Sequence, residues 1–410
     1  MPLKTLKYRL YPTKAQREKL EWTLDRCREL YNAALQERRD TWNVCKKHPR
    51  FYDPQWRKEH TAAYSISYYD QSAQLPEIKE LRPEYKDIYA QVLQDVLKRV
   101  KKTFDAFFQR VKAGQKPGYP RFQNASRFDS FTYPQAGFSF THDNQLCLSK
   151  IGSIKAKLHR PIEGVIKTCT LKREGTHWYV CFACEVEQIT RHPYTDDAVG
   201  IDLGITHFAA LSTGDFIENP RYYRKAEKKL EKAQQTFARK KKKDSKGCKG
   251  NRRKKAARLV GKCHRTVRNQ RSDFLHKQAR QLVNTYETII FEDITPSKMS
   301  KRPKPKQDEQ GKYLPNGASQ KAGLNKSILD AGWSTFIAMC QSKAEEAGTV
   351  TVILVDPRYT SQVCSQCGVI RKKELSERWH SCECGASLDR DHNAALNILR
   401  LGRSLQGSRP

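Results

Sequence analysis

Apolar and polar residues alternate over residues 3–11, LKTLKYRLY, and this period of two predicts a β-strand. From Lys14 to about Arg39 apolar side chains recur every three or four residues, which predicts an amphipathic helix. A second amphipathic helix is predicted from about Ile88 to Ala113, and short alternating strands are predicted over roughly 126–188. The N-terminal half should therefore combine long helices with a β-rich segment.

In the C-terminal half, predicted strands alternate with predicted helices, which is typical of an α/β domain. Residues 192–198, HPYTDDA, have the composition of a linker, and two successive strands are predicted in VGIDLGITHFAAL, residues 199–211. The remaining predictions are a charged helical region from Arg221 to about Tyr286, a strand from Thr288 to Phe291, a mobile loop at 300–320, a helix from Asp330 to Ala347, a strand in TVTVILVDP (349–357) and a final helix that starts at Asp391.

Three carboxylates occupy positions in these elements that suit a metal ion. Asp202 lies in the first strand, Glu292 ends the strand 288–291, and Asp391 begins the last helix. Each acid alone could be a turn, surface or capping residue. If the fold brings all three together, they supply the hard oxygen ligands that Mg²⁺ needs. Two such ions about 4 Å apart form the usual clamp for phosphodiester cleavage, so the trio predicts a nuclease.

The charge of the chain indicates its partner. Lys and Arg total 77 against 44 acidic residues, a net charge of +33 over 410 residues. Such an excess favours binding to a polyanion, and nucleic acid is the usual one. No apolar run approaches the roughly 18 residues that a membrane span requires, and no apolar signal-peptide stretch is evident in residues 1–12. We therefore expect a cytoplasmic protein that binds no membrane.

A dense basic run lies in the middle of the charged helical region. Residues 239–255, RKKKKDSKGCKGNRRKK, hold eleven basic residues and one acid. A solvated hairpin tip is the simple interpretation, but so many like charges repel one another, and phosphate neutralisation explains them better. The candidate nucleic-acid contacts in this run are Lys240, Lys241, Lys242, Lys243, Arg252 and Arg253.

Thirteen cysteines, an odd number, indicate a reducing compartment with some cysteines on metal. Cys364 and Cys367 form a CxxC, and Cys382 and Cys384 form a CxC. Fourteen residues separate the two pairs, and a glycine follows each pair. Two such knuckles predict a structural zinc ribbon with four cysteine ligands. The second knuckle is one residue short of the usual CxxC, which leaves open whether His380 replaces one sulfur.

Several other cysteine, aspartate and histidine residues are not interpreted as metal ligands. Cys181 and Cys184 are three apart in a predicted strand and should point to opposite faces, so they cannot share a metal. Asp389 precedes the last helix and is a candidate cap for it. Cys27, Cys169 and Cys340 have the setting of small core residues, and His207 has the setting of a packing or DNA-contacting residue.

At the three acids the chain resembles the TnpB family, RNA-guided nucleases encoded by insertion sequences and regarded as ancestors of type V CRISPR effectors. GIDLG with Asp202, FEDI with Glu292 and DRDHNAALNI with Asp391 are similar to the three RuvC motifs of that family. The segments YRLYPTKAQ (8–16), GYPRF (118–122) and RYTSQVCSQCG (358–368) fit as well. The departures are the CxC knuckle and the long loop at 300–320.

The resemblance implies an α/β multidomain protein. A wedge-type β-barrel would comprise residues 1–12 and 115–190, with a helical recognition domain inserted at 13–114. An RNase H-like RuvC nuclease domain would comprise residues 196–359 and 387–410, and the zinc ribbon would occupy 360–386.

The resemblance also implies a mechanism. One protein would bind one guide RNA, read a short motif beside a double-stranded DNA target, and cut both strands at a single RuvC site. Asp202 would bridge two Mg²⁺ ions, Glu292 and Asp391 would each complete one site, and Asn393 would orient Asp391 or a metal-bound water. One structural Zn²⁺ would hold the ribbon. The candidate motif readers are Gln91, Gln94, Thr132 and Tyr133, since amides suit adenine edges.

Two alternatives remain open. A compact type V CRISPR effector would share the chemistry but take its guide from a CRISPR array. A non-cleaving RNA-guided repressor should lack at least one of the three acids, and all three are present here.

Overall fold

The computed structural model describes residues 3–141, 143, 145–187, 193–240, 251–374 and 377–407. The chain forms two compact units, Met1–Glu187 and Gln188–Pro410. No helix in these described ranges is both long and apolar enough to span a membrane.

The first unit contains a β-sheet and a group of helices. Its elements are β1 (Leu3–Tyr11), α1 (Lys14–Lys46), α2 (Pro54–His60), α3 (Tyr68–Ala73), α4 (Leu75–Leu81), α5 (Ala90–Lys112), β2 (Ser130–Tyr133), β3 (Phe138–Phe140), β4 (Gln145–Leu148), β5 (Gly152–Lys157), β6 (Val165–Glu174) and β7 (His177–Glu185). The predicted strand at 3–11 and the two predicted helices are confirmed. Helix α1 starts where Thr13 and Gln16 form a capping box, and it continues seven residues beyond the predicted end.

The seven strands form one antiparallel sheet in the order β2-β6-β7-β1-β5-β4-β3. If this sheet were flat, its edge strands β2 and β3 would lie about 29 Å apart. However, the five residue steps from Tyr133 to Phe138 span at most about 18 Å, so the sheet must curl strongly. No backbone ladder joins β2 to β3 within the described residues, and closure into a barrel stays a prediction.

Strand β7 shows how the sheet buries one face. Trp178, Val180, Phe182 and Cys184 point into the core, whereas Cys181 lies on the other, half-exposed face. The two cysteines therefore point apart, as their spacing predicted. Cys27, Cys169 and Cys340 are fully buried, which confirms their interpretation as core residues.

The second unit is an α/β domain that is interrupted, just before its last helix, by a small two-stranded module. Its elements are β8 (Thr195–Leu203), β9 (His207–Leu211), β10 (Phe216–Glu218), α6 (Tyr222–Arg239), α7 (Asn251–Thr285), β11 (Tyr286–Glu292), α8 (Pro296–Met299), β12 (Lys306–Gln307), β13 (Tyr313–Leu314), α9 (Ala318–Ala331), α10 (Trp333–Ala347), β14 (Thr351–Val355), β15 (Trp379–Ser381), β16 (Ser387–Asp389) and α11 (Arg390–Gly407).

The five-stranded sheet has the order β10-β9-β8-β11-β14. Strands β8, β9 and β10 form an antiparallel meander, while β11 pairs in parallel with both β8 and β14. This mixed sheet agrees with the RNase H-like expectation. Both faces are covered, since α7 and α10 pack on the side of Ile289 and Phe291, and α11 packs on the side of Ile290.

Three predictions for this unit need correction. The supposed linker at 192–198 already contains the start of β8 at Thr195, because Thr195 pairs with Tyr286 of β11. The supposed loop at 300–320 contains the hairpin of β12 and β13, whose turn is held by Asp308, and the start of α9. The helix predicted to start at Asp330 begins instead at Trp333, because Gly332 adopts a left-handed conformation that separates α9 from α10.

Candidate active site and metal centre

Strand register brings Asp202 and Glu292 side by side. Ile201 of β8 is paired with Phe291 of the parallel strand β11, so the next residue on each strand is an acid. Side chains alternate along a strand, and Ile201 and Phe291 both lie in the core on the α7 and α10 side. Both acids therefore lie on the opposite side of the sheet, which α11 covers.

Helix α11 brings Asp391 to the same place because it packs directly on β8. The contact is possible only because residue 200 is glycine: a Cβ there would lie 2.2 Å from the carbonyl oxygen of Ala395. Just beyond the C-terminal end of β8, a Cβ on Gly204 would lie 3.9 Å from Oδ2 of Asp391. The packing of α11 therefore places the carboxylate of Asp391 close to the end of β8, the strand that carries Asp202.

The three acids interact electrostatically. Burial raises the pKa of Asp202 well above its usual range, and the negative charges of Glu292 and Asp391 raise it further. Burial also raises the pKa of Glu292, against a hydrogen bond from Thr360 that lowers it. The pKa of Asp391 is raised by burial and by Asp389, with smaller opposing effects from nearby basic side chains. Buried carboxylates that repel one another favour a bound cation, so the trio fits divalent metal ions.

The start of α11 separates the capping acid from the candidate ligand. Oδ1 of Asp389 accepts hydrogen bonds from the backbone N–H of Asp391 at 2.8 Å and of His392 at 3.3 Å. Asp389 therefore caps the helix, as predicted.

Asn393 does not orient Asp391, contrary to the sequence-based expectation. Its side chain is fully buried and both of its polar ends are used elsewhere. Oδ1 accepts from the Ser365 N–H at 3.0 Å, and Nδ2 donates to the Val363 carbonyl at 2.8 Å. Asn393 instead clamps α11 to the first cysteine knuckle. In the sequence, Asn393 and Asn397 are four residues apart in NAALN and therefore lie on one helix face. This spacing was the signal from which the contact with the knuckle could have been predicted.

The four predicted zinc ligands come together. The Sγ atoms of Cys364 and Cys384 are 3.6 Å apart, and those of Cys367 and Cys382 are 3.5 Å apart. All four sulfurs lie within 4.8 Å of one another. Four sulfurs at this spacing fit a tetrahedral zinc site.

His380 lies beside this cluster rather than in it. It is fully buried, its Nδ1 is paired with Nζ of Lys373, and its Nε2 has no hydrogen-bond partner. Although burial opposes ionisation, hydrogen bonds from the backbone at Cys367 and Gln366, with the neighbouring imidazole of His380, lower the pKa of Cys364 to about 5. A thiolate is the form that binds zinc. The short CxC knuckle thus brings both of its sulfurs into the cluster, and His380 is a neighbour of the cluster rather than one of its four ligands.

Of the four candidate motif readers, two have polar groups that remain available. Gln94 is exposed, and Gln91 accepts only a long, 3.4 Å hydrogen bond from the Ala136 N–H. The hydroxyl of Thr132 is bonded to Arg99 and Thr170. Tyr133 is buried, and its hydroxyl donates to the Ser149 carbonyl at 2.9 Å. Its assignment as a reader is wrong, because the alternation of β2 turns its ring into the core.

The basic run falls partly outside the described residues, which include Lys240, Arg252 and Arg253 but not Lys241, Lys242 and Lys243. Arg252 is exposed and available to a phosphate. Arg253 lies over the ring of Phe237 at 4.2 Å and donates to the carbonyls of Phe237 and Lys240. Arg253 therefore ties the start of α7 to the end of α6.

Three known families match parts of this chain. The family described as "Probable transposase" matches residues 181–302, and "Cas12f1-like, TNB domain" matches residues 333–398, which include the four cysteines. The family described as "Helix-turn-helix domain" matches residues 1–47. Over that last range the structure has one strand and one long helix, β1 and α1.

Two of the curated relatives match nearly the whole chain, and a third matches part of it. A "Putative RNA-guided DNA endonuclease" from Streptomyces pristinaespiralis is 33% identical over 407 residues, which cover 97% of this chain and 89% of the relative. "Putative RNA-guided DNA endonuclease InsQ" from Escherichia coli (strain K12) is 28% identical, covering 98% and 93%. "TnpB-like protein L770" from Acanthamoeba polyphaga mimivirus is 25% identical, covering 60% and 46%.

Proposed function

The chain belongs to the TnpB family, and on that premise we propose that it is an RNA-guided DNA endonuclease whose single RuvC site cuts both DNA strands. The observation that carries this proposal is the convergence of Asp202, Glu292 and Asp391 on the side of the sheet that α11 covers. An intact trio favours a nuclease over a non-cleaving RNA-guided repressor.

The three carboxylates would hold two Mg²⁺ ions. Bound there, the ions would lower the pKa of the attacking water and stabilise the leaving 3′-oxygen. The protein's own contribution is to hold three half-buried carboxylates in place on two strands and a helix. Cys364, Cys367, Cys382 and Cys384 would hold one Zn²⁺ that stabilises the ribbon and takes no part in the chemistry.

The partners of this site would be a guide RNA and a double-stranded DNA target, at one protein per RNA. The net charge of +33 supports phosphate binding. Base pairing would carry the sequence specificity, while the protein reads the shape of the heteroduplex and a short adjacent motif. Gln91 and Gln94 are the candidate motif readers that remain. A CRISPR-array guide would need a repeat array beside the gene, whereas a TnpB guide would come from a transposon end.

The experiment that tests this proposal starts from the protein expressed together with its flanking DNA. RNA that co-purifies is sequenced, and the complex is then challenged with a plasmid library that carries the matching target beside randomised positions. We expect Mg²⁺-dependent linearisation of plasmids that share one adjacent motif. Asp202→Ala should abolish cleavage, and Asp197→Ala, which removes an exposed acid from the same strand, should not. Absence of a bound RNA, or cleavage that survives Asp202→Ala, would contradict the proposal.

A further inference from the structure

Thr360 joins Glu292 to the segment that leads into the zinc ribbon. It lies five residues after the end of β14 and four residues before Cys364, and only 4% of it is exposed. Its hydroxyl donates to Oε1 of Glu292 at 2.5 Å. The Pro357 carbonyl is the other acceptor within reach, at 3.1 Å. A hydroxyl has one proton, so Thr360 serves one of these acceptors at a time.

The backbone around Thr360 is anchored from α11. Nδ2 of Asn397 donates to the Thr360 carbonyl at 2.9 Å and to the Val363 carbonyl at 2.7 Å. The amide of Asn393 bonds to Val363 and Ser365 on either side of Cys364. Two buried asparagines on one helix thus fix the segment that carries the Thr360 hydroxyl. Helix α11 also carries Asp391, so one rigid element sets the positions of two of the three acids.

From these contacts we infer that Thr360 is a positioning residue for Glu292, an inference that rests on the proposed function. The bond to Oε1 fixes the rotation of the carboxylate about its terminal torsion, which is otherwise broad. Oε2 would then be the oxygen available to a metal ion held together with Asp202 and Asp391. Hydrogen bonds to ligating carboxylates orient them, and their loss typically lowers metal affinity by about 10- to 100-fold.

The test measures metal binding rather than cleavage. Zinc-loaded protein is titrated with Mn²⁺, and free Mn²⁺ is followed by electron paramagnetic resonance. Thr360→Val keeps the size and branching of the side chain but removes the hydroxyl, and we expect it to weaken Mn²⁺ binding by about tenfold or more. Thr360→Ser keeps the hydroxyl and should bind within about threefold of wild type. Zinc content and melting temperature are measured on each variant to confirm that the ribbon is folded.

Thr288→Val is the matched control. Thr288 lies at the opposite end of β11, is also buried, and accepts a hydrogen bond from Gln406 at 2.9 Å, far along the strand from Glu292. It should leave Mn²⁺ binding unchanged. Unchanged Mn²⁺ binding by Thr360→Val, or equal losses in the Val and Ser variants, would overturn the role of Thr360.

Asp202→Ala separates this inference from the proposed function. If Asp202→Ala does not reduce Mn²⁺ binding, the carboxylate site itself is wrong. If it does and Thr360→Val does not, only the positioning role fails. In cleavage assays the Thr360→Val defect should appear as a higher half-saturating Mg²⁺ concentration that excess Mg²⁺ overcomes, with target binding unchanged.

Discussion

Gly200 of β8 lies so close to Ala395 of α11 that a Cβ on Gly200 would be 2.2 Å from the Ala395 carbonyl oxygen. Glycine in the interior of a strand often marks such a close approach of another backbone. Here the approach sets the depth of α11, and with it the position of Asp391 relative to Asp202. A single missing side chain therefore controls the geometry of the candidate site.

Gly200→Ala should push α11 away from the sheet. We expect a loss of about 1–3 kcal/mol in the free energy of unfolding, because backbone atoms cannot yield as a flexible side chain can. DNA cleavage should fall more than target binding does. Gly261→Ala is the control, since Gly261 lies in helix α7 with no atom within 4 Å of an added Cβ, and it should be neutral or slightly stabilising. Equal effects of the two substitutions in urea unfolding would contradict this account.

The three acids should be individually essential for cleavage. Asp202→Ala, Glu292→Ala and Asp391→Ala should each abolish cutting of both strands, because loss of a metal ligand removes transition-state stabilisation worth several kcal/mol. Binding of guide RNA and target should stay near wild type in filter-binding assays. Asp389→Ala should instead cost about 0.5–2 kcal/mol of stability through loss of the cap and keep measurable activity. The reverse pattern at 389 and 391 would show that the wrong acid was assigned.

Without magnesium the carboxylate cluster should destabilise the fold as pH rises. Burial and the charges of Glu292 and Asp391 raise the pKa of Asp202 in the folded state. Between the unfolded and the raised folded pKa, the folded state binds more protons than the unfolded state, so stability falls as pH increases. Asp202→Asn removes one titrating group and should raise the melting temperature at pH 8 more than at pH 5.

That comparison is made in magnesium-free buffer without chelator, so that zinc stays bound. Asp197→Asn, an exposed change on the same strand, should alter the melting temperature little at either pH. A gain for Asp202→Asn that is the same at both pH values would show that relief of charge repulsion is not its cause. Saturating Mg²⁺ should stabilise wild type and leave Asp202→Asn less affected.

The cysteine cluster should bind one zinc ion. Cys364→Ser and Cys384→Ser should each lower the zinc content below one ion per chain and destabilise residues 360–386, because the ribbon has only a small core of its own. Cys181→Ser, on a half-exposed strand face, should keep full zinc. His380→Ala should retain zinc with reduced affinity, since His380 is not among the four ligands but helps to lower the pKa of Cys364. Stoichiometric zinc in both knuckle variants, measured by elemental analysis, would overturn the four-cysteine assignment.

The basic run should bind phosphates without reading sequence. Replacing Lys240, Lys241, Lys242 and Lys243 with Gln should weaken nucleic-acid binding across all sequences. It should also flatten the dependence of log K on log salt by up to about 0.7–0.9 per lost contact. The same four positions changed to Arg keep the charge and should keep the slope. The adjacent-motif preference should not move, and an unchanged slope in the Gln variant would favour a solvated hairpin tip.

The sequence alone determined the elements that carry the chemistry. Alternation predicted β1 and β8, a short apolar run predicted β11, helical periodicity predicted α1 and α5, and the cysteine spacing predicted the zinc ligands. Each of these signals comes from residues near one another in the chain. The sequence predicted the exact start and end of some elements less well. The hairpin of β12 and β13 has only four strand residues, too few for any periodicity, and the break at Gly332 depends on one left-handed residue.

Only the tertiary structure decided how the acids meet and what surrounds them. Asp202 and Glu292 are ninety residues apart, and their proximity follows from the parallel register of β8 and β11. Alternation along β2 puts Phe131 and Tyr133 on one face, but the pairing of β2 in a sheet whose strands come from distant segments decided that this face is the buried one. The asparagines of α11 are aimed at the zinc ribbon, and Thr360 is aimed at Glu292. These contacts join residues far apart in sequence, where local patterns carry no information about distance, so packing alone could reveal them.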